Sequence, residues 1–122
     1  MQTEISYKNV KKRKETETLI LSKISKLERL CDQITSCYVV IETLQRHRNS
    51  GNPFQVRVVV NLPPGHELVV RRDSSEGGRE EPLPAVLRSA FAVMERRIKE
   101  MMERRRGDVK IRSQQQAAAL AK

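Results

Sequence analysis

The chain has no tryptophan, two tyrosines and two phenylalanines, so aromatic residues make up only 3% of its 122 positions. A protein that reads single-stranded nucleic acid by stacking bases needs exposed rings. Phe91 and Phe54 fall at positions expected to point into a core, which leaves Tyr38 as the one good platform candidate. Recognition of folded RNA by shape and backbone fits this composition better. There are two cysteines, Cys31 and Cys37, with no further Cys or His at metal-ligand spacing. That speaks against a zinc site and a disulfide framework, and fits a reducing cytoplasm. No apolar run approaches the ~20 residues of a membrane span. The opening MQTEISYKNVKKRK has no hydrophobic core of a signal peptide, so a cytoplasmic location is expected. No GxGxxG or GxxxxGK[ST] is present, and the pair Gly77–Gly78 is loop material. His47 sits in a polar loop and His66 at a strand start, with no nucleophile in an evident motif. Neither an enzyme, a cofactor nor a metal site is expected.

What is present is positive charge. Lys and Arg number 24 against 15 Asp and Glu, for a formal net charge of +9. Such a balance favours a polyanionic partner, either nucleic acid or an anionic membrane surface. The length fits one domain.

Hydrophobic periodicity gives the order of elements. QTEISYKN alternates over residues 2–9, with Thr3, Ile5 and Tyr7 on one face, and reads as a strand. A helix is expected over about 16–33, with Thr16 or Thr18 as its cap and Glu15 and Glu17 near its positive end. SCYVVIET (36–43), FQVRVVVN (54–61) and HELVVRR (66–72) read as strands, with QRHRNSGNP a turn-rich loop and LPPG a tight turn. Pro82 and Pro84 suit a helix start, and that helix is expected from about 83 to 106, with Gly107 as its stop. The strand-helix-strand start implies a right-handed crossover and parallel neighbours. Two helices with one apolar stripe each then cover one face of a four-stranded sheet, in an α+β fold of β-α-β-β-β-α order. Residues 1–106 form the domain, and 107–122 are expected to be a flexible C-terminal tail.

The candidate site lies on the backs of the helices. In the first, Ile24, Leu27, Cys31 and Ile34 form the stripe, and the opposite side carries Ser22, Lys26, Arg29 and Gln33, with Lys23 on the shoulder. In the second, Leu87, Ala90, Phe91, Met94, Ile98 and Met101 form the stripe, and Arg88, Arg96, Lys99 and Arg106 point away, flanked by Arg97 and Arg104. Glu95, Glu100 and Glu103 interleave, so taken alone this helix reads as a solvated face with pairs such as Glu95–Lys99. Beside the first helix it becomes half of a surface able to follow a phosphate backbone. A reading from another class is a protein-interaction module using the Met101/Met102 edge, with the charge serving solubility.

The segments KISKLERLCDQITSCYVVIE, FQVRVVV, LPPGHELVVRR and RSAFAVMERRIKEMMERRRGDVK resemble the ribosome hibernation-promoting factor family, also called the ribosome-associated inhibitor or sigma-54 modulation family. The resemblance spans about residues 2–110, and its most specific part is the spacing KLER…D.I…V..E. It implies a short bacterial form with a double-stranded-RNA-binding-domain-like fold. It also implies binding to the small ribosomal subunit in the mRNA and tRNA channel, in competition with both, and translational silencing in stress or stationary phase. By that analogy Lys23, Lys26, Arg29, Arg88, Arg96, Arg97, Lys99 and Arg104 contact rRNA. The chain departs from the family at the second helix entry, where Pro82 and Pro84 stand in place of an acidic cap and a Tyr.

Overall fold

A computed structural model describes residues 1–43, 53–75 and 80–120, by backbone alone from 108 onward. His47 and the Gly77–Gly78 pair lie outside the described residues. The order is β1 (Gln2–Lys8), α1 (Lys14–Leu30), β2 (Ser36–Thr43), β3 (Phe54–Leu62), β4 (His66–Asp73) and α2 (Leu83–Leu120). The strands form one sheet in the order β1-β2-β3-β4. β1 runs parallel to β2, with Gln2 opposite Ser36 and Lys8 opposite Glu42, as a helical crossover requires. β2, β3 and β4 make the expected antiparallel meander, with Val39 opposite Val58 and Val58 opposite Val70.

The period of two along the strands selects the buried face. Cys37, Val39 and Ile41 of β2, Val56, Val58, Val60 and Leu62 of β3, and Val70 of β4 are buried against the helices. α1 presses Ile20, Ile24 and Leu27 onto this face, followed by Cys31 and Ile34, while α2 presses Val86, Leu87, Ala90, Phe91, Met94, Ile98 and Met101. Met101 is therefore core, and Met102 is partly buried against it. Of the methionine edge that the sequence offered as a docking surface, Met101 is taken up by the core and Met102 stays partly exposed.

Both helices differ from the expected bounds. α1 begins at Lys14, two residues before Thr16, and its cap position, Arg13, makes no side-chain capping bond. Glu15 and Glu17 still lie in the first turn, where acidic groups suit the helix dipole. The helix ends at Leu30, because Cys31 takes extended backbone angles and donates its N–H to the Leu27 carbonyl at 3.0 Å. α2 begins where the prolines allow: the Pro82 carbonyl accepts from the N–H groups of Ala85 and Val86, at 3.0 and 3.2 Å. It does not stop at Gly107 but continues to Leu120. A glycine inside a helix costs about 0.5–1 kcal/mol relative to alanine. The Gln and Ala residues of SQQQAAAL are strong helix formers that offset it. At the Pro63-Pro64-Gly65 turn glycine is required, since Gly65 has φ +65°.

Two polar ties close the ends of the sheet. At one end, buried Ser74 exchanges bonds with Phe54, its N–H reaching the Phe54 carbonyl at 2.9 Å and its Oγ accepting the Phe54 N–H at 3.0 Å. At the other, Thr35 donates its N–H to the Asn61 carbonyl at 2.9 Å, and Asn61 Nδ2 donates to the buried Ser36 Oγ at 2.8 Å.

Candidate nucleic-acid interface

Because α1 and α2 share one sheet face, their outer sides lie next to each other. The junction is Glu95, whose carboxylate meets Lys26 Nζ across the helix seam at 3.6 Å and Lys99 Nζ on its own helix at 3.7 Å. One carboxylate between two ammonium groups leaves net positive charge. Both lysines also keep more than half of their side-chain surface exposed. Exposed pairs contribute roughly 0–1 kcal/mol, so Glu95 aligns the two helices more than it stabilises them.

The eight cations named from the sequence divide into two groups. Lys26 and Arg29 are exposed along α1, with Lys23 partly covered on the shoulder. On α2, Arg88, Glu95, Lys99 and Arg106 recur on one side at helical spacing and face the α1 seam, with exposed Arg96 beside them. These residues form one cationic ridge. Arg106 joins it by the same spacing that selected Lys99. Arg97 and Arg104, seven residues apart, lie on the other flank, toward β4. Arg97 already spends one donor there, its Nη1 reaching the Val69 carbonyl at 2.6 Å.

Arg105 has a different task, which the sequence did not reveal. Its guanidinium bonds Gln33 Oε1 at 2.9 Å and the Pro63 carbonyl at 2.6 Å, tying α2 to the segment after α1 and to the β3–β4 turn. The planar fork of arginine suits two acceptors at once. Neither acceptor is near Arg105 in sequence, so no periodicity could have shown the contact.

Tyr38 lies on the sheet face away from the helices, partly exposed, opposite Val59, which in turn faces Val69. His66 is exposed at the start of β4. Among the described residues no group of His, Cys, Asp and Glu side chains is arranged to hold a metal ion. Both thiols are buried and unpaired, and burial pushes Cys37 up to about 12. The Tyr7 phenol is also raised, first by burial and then by the nearby Glu17 carboxylate.

Comparison with known proteins agrees with this architecture. The family described as sigma 54 modulation protein / S30EA ribosomal protein matches residues 3–106. Among solved structures, a ribosomal subunit interface protein from Coxiella burnetii superposes with a TM-score of 0.66 at 12% identity, covering 84% of this chain and 99% of its own. The N-terminal domain of Protein Y from Thermus thermophilus gives a TM-score of 0.63 at 18% identity, covering 83% and 99% respectively. At such identities these two likenesses speak to the fold. No curated protein matches the chain in sequence. With 104 of 122 residues inside the family match, the chain belongs to the sigma 54 modulation protein / S30EA ribosomal protein family, whose members are ribosome-binding regulators rather than enzymes.

Proposed function

We propose that this chain binds rRNA of the small ribosomal subunit in the mRNA and tRNA channel and silences translation there, as a cytoplasmic hibernation factor of stressed or stationary cells. The observation that carries the reading is the Lys26–Glu95–Lys99 bridge, which spans the seam where the two cationic helix backs lie side by side. Phosphates are engaged by several cations at separations comparable to the backbone repeat. Lys23, Lys26, Arg29, Arg88, Arg96 and Lys99 supply several cations on the two helix backs, and Arg97 and Arg104 lie apart from them on the β4 flank. The family and the Coxiella relative, described as a ribosomal subunit interface protein, support the choice of partner. Among the described residues no helix is long and apolar enough to cross a membrane. The family match ending at residue 106 supports a binding domain of 1–106, with 107–122 as an appendage to it.

The test is the double variant Lys26→Glu/Arg96→Glu. Both side chains are exposed, and exchanging the exposed Lys26–Glu95 pair for like charges costs about 1 kcal/mol or less. Circular dichroism should show an intact fold, and pelleting with ribosomes should show binding lost. A folded double variant that pellets like the parent would remove the ridge as the binding surface.

A further inference from the structure

The two edges of the sheet are treated differently. On β4, Arg97 reaches over and occupies the Val69 carbonyl. On β1 no described residue does the equivalent. Gln2 donates its N–H to Thr35 on the β2 side. The alternation of a strand therefore turns the N–H and C=O groups of Thr3, Ile5 and Tyr7 to the open edge. β1 is seven residues long and lacks proline, which is how natural edges are commonly blunted. Asn9 then turns the chain away with φ 57°.

Apolar surface collects at this same edge. The two large hydrophobics exposed among the described residues are Met1 (41%) and Leu21 (46%), one at the head of β1 and the other on the α1 flank above it. Leu21 also walls a groove of about 300 Å³ together with Thr3, Ile5, Tyr7 and the Lys12–Glu17 ion pair. The Tyr7 hydroxyl is buried there without a hydrogen-bond partner. An open strand edge, flanking apolar side chains and an unsatisfied phenol together describe a surface prepared for another strand.

We propose that the occupant is a second copy of this chain, paired antiparallel along β1 about Ser6, so that two four-stranded sheets join into one of eight. The charge pattern of β1 selects this partner. In the Ser6-centred register Glu4 stands opposite the partner's Lys8, and Lys8 opposite the partner's Glu4, both on the face away from the helices. On the helix face Ile5 stands opposite the partner's Tyr7, and these are residues whose backbone groups already point outward. The register thus satisfies hydrogen bonding and charge together. It brings the two Leu21 side chains toward each other above the joined strands. Leu21 and Lys26 are on different sides of α1, so the ridge stays open in the pair.

Sedimentation velocity over a concentration series, on protein freed of nucleic acid, tests this. A short edge interface predicts a weak, reversible monomer–dimer equilibrium. Glu4→Lys alone, or Lys8→Glu alone, sets like charges opposite each other and should weaken the dimer about tenfold. The exchanged double variant Glu4→Lys/Lys8→Glu should restore it. Leu21→Asp should leave a monomer, with circular dichroism confirming that each variant is folded. A parent protein that stays monomeric throughout overturns the proposal. So does a dimer that Leu21→Asp leaves intact, or one that the exchanged pair fails to restore.

Discussion

Replacing Arg105 with alanine cuts both ties that hold α2 to the far end of the sheet, the 2.9 Å bond to Gln33 and the 2.6 Å bond to the Pro63 carbonyl. Hydrogen bonds from a charged donor contribute roughly 1.5–3 kcal/mol each when well shielded. Both of these are solvent-exposed, and they share one side chain, so the sum is discounted to about 1–2 kcal/mol. At roughly 4 °C per kcal/mol for a domain of this size, the melting temperature should fall by about 4–8 °C. Arg105→Lys keeps the charge but reaches only one acceptor, and should lose about half as much. Thermal unfolding followed by circular dichroism gives the shift, and pelleting with ribosomes gives the binding. The expected result is a less stable protein that still binds at low temperature. If Arg105→Ala melted within a degree of the parent and lost ribosome binding instead, Arg105 would lie on the RNA and the clamp would be incidental.

Two other outcomes follow from the core and the helix. Cys37 has its thiol raised from 9.0 to about 12 by burial, so the folded state holds a proton that the unfolded state releases. The thiol's contribution is therefore complete below pH 9 and is lost as pH rises toward 12, so alkaline unfolding curves should show falling stability across that window. Replacing Cys37 with serine or alanine should remove that part of the slope. Gly107→Ala places a methyl where nothing lies within 4 Å, inside a continuous helix. It should strengthen the helical signal at 222 nm and add about 0.5–1 kcal/mol of helix stability. Gly65→Ala should instead destabilise by about 1 kcal/mol, because φ +65° is strained for any side chain.

Much of the fold was legible because hydrophobic periods are local. Val56, Val58 and Val60 alternate in the sequence and are buried in the sheet. Leu87, Phe91, Met94 and Ile98 repeat at helical spacing and meet them. Handedness and spacing then fixed which strands pair. The misreadings lie where a local signal meets a competing one. Gly107 looks like a stop until the helix-forming run beyond it is weighed, and Thr16 looks like a cap although the helix has already begun at Lys14. In the candidate site, spacing picked out cations that are exposed or, for Lys23, partly covered, but treated them as equivalent. Arg97 and Arg105 spend donors on Val69 and Pro63, 28 and 42 residues distant in the chain. Lys26 and Lys99 are gathered by Glu95, which the sequence offered only as an intrahelical partner.

If the chain occupies the mRNA and tRNA channel, it must compete with both ligands on the small subunit. Vacant subunits would be loaded with mRNA and initiator tRNA, then offered the labelled protein, with unloaded subunits alongside. General affinity for RNA would leave the two samples alike, whereas a shared site must not. Strong binding to vacant subunits and its loss on loaded ones are expected, with Lys26→Glu/Arg96→Glu binding neither. Equal binding of the parent protein to loaded and vacant subunits would contradict occupancy of the channel.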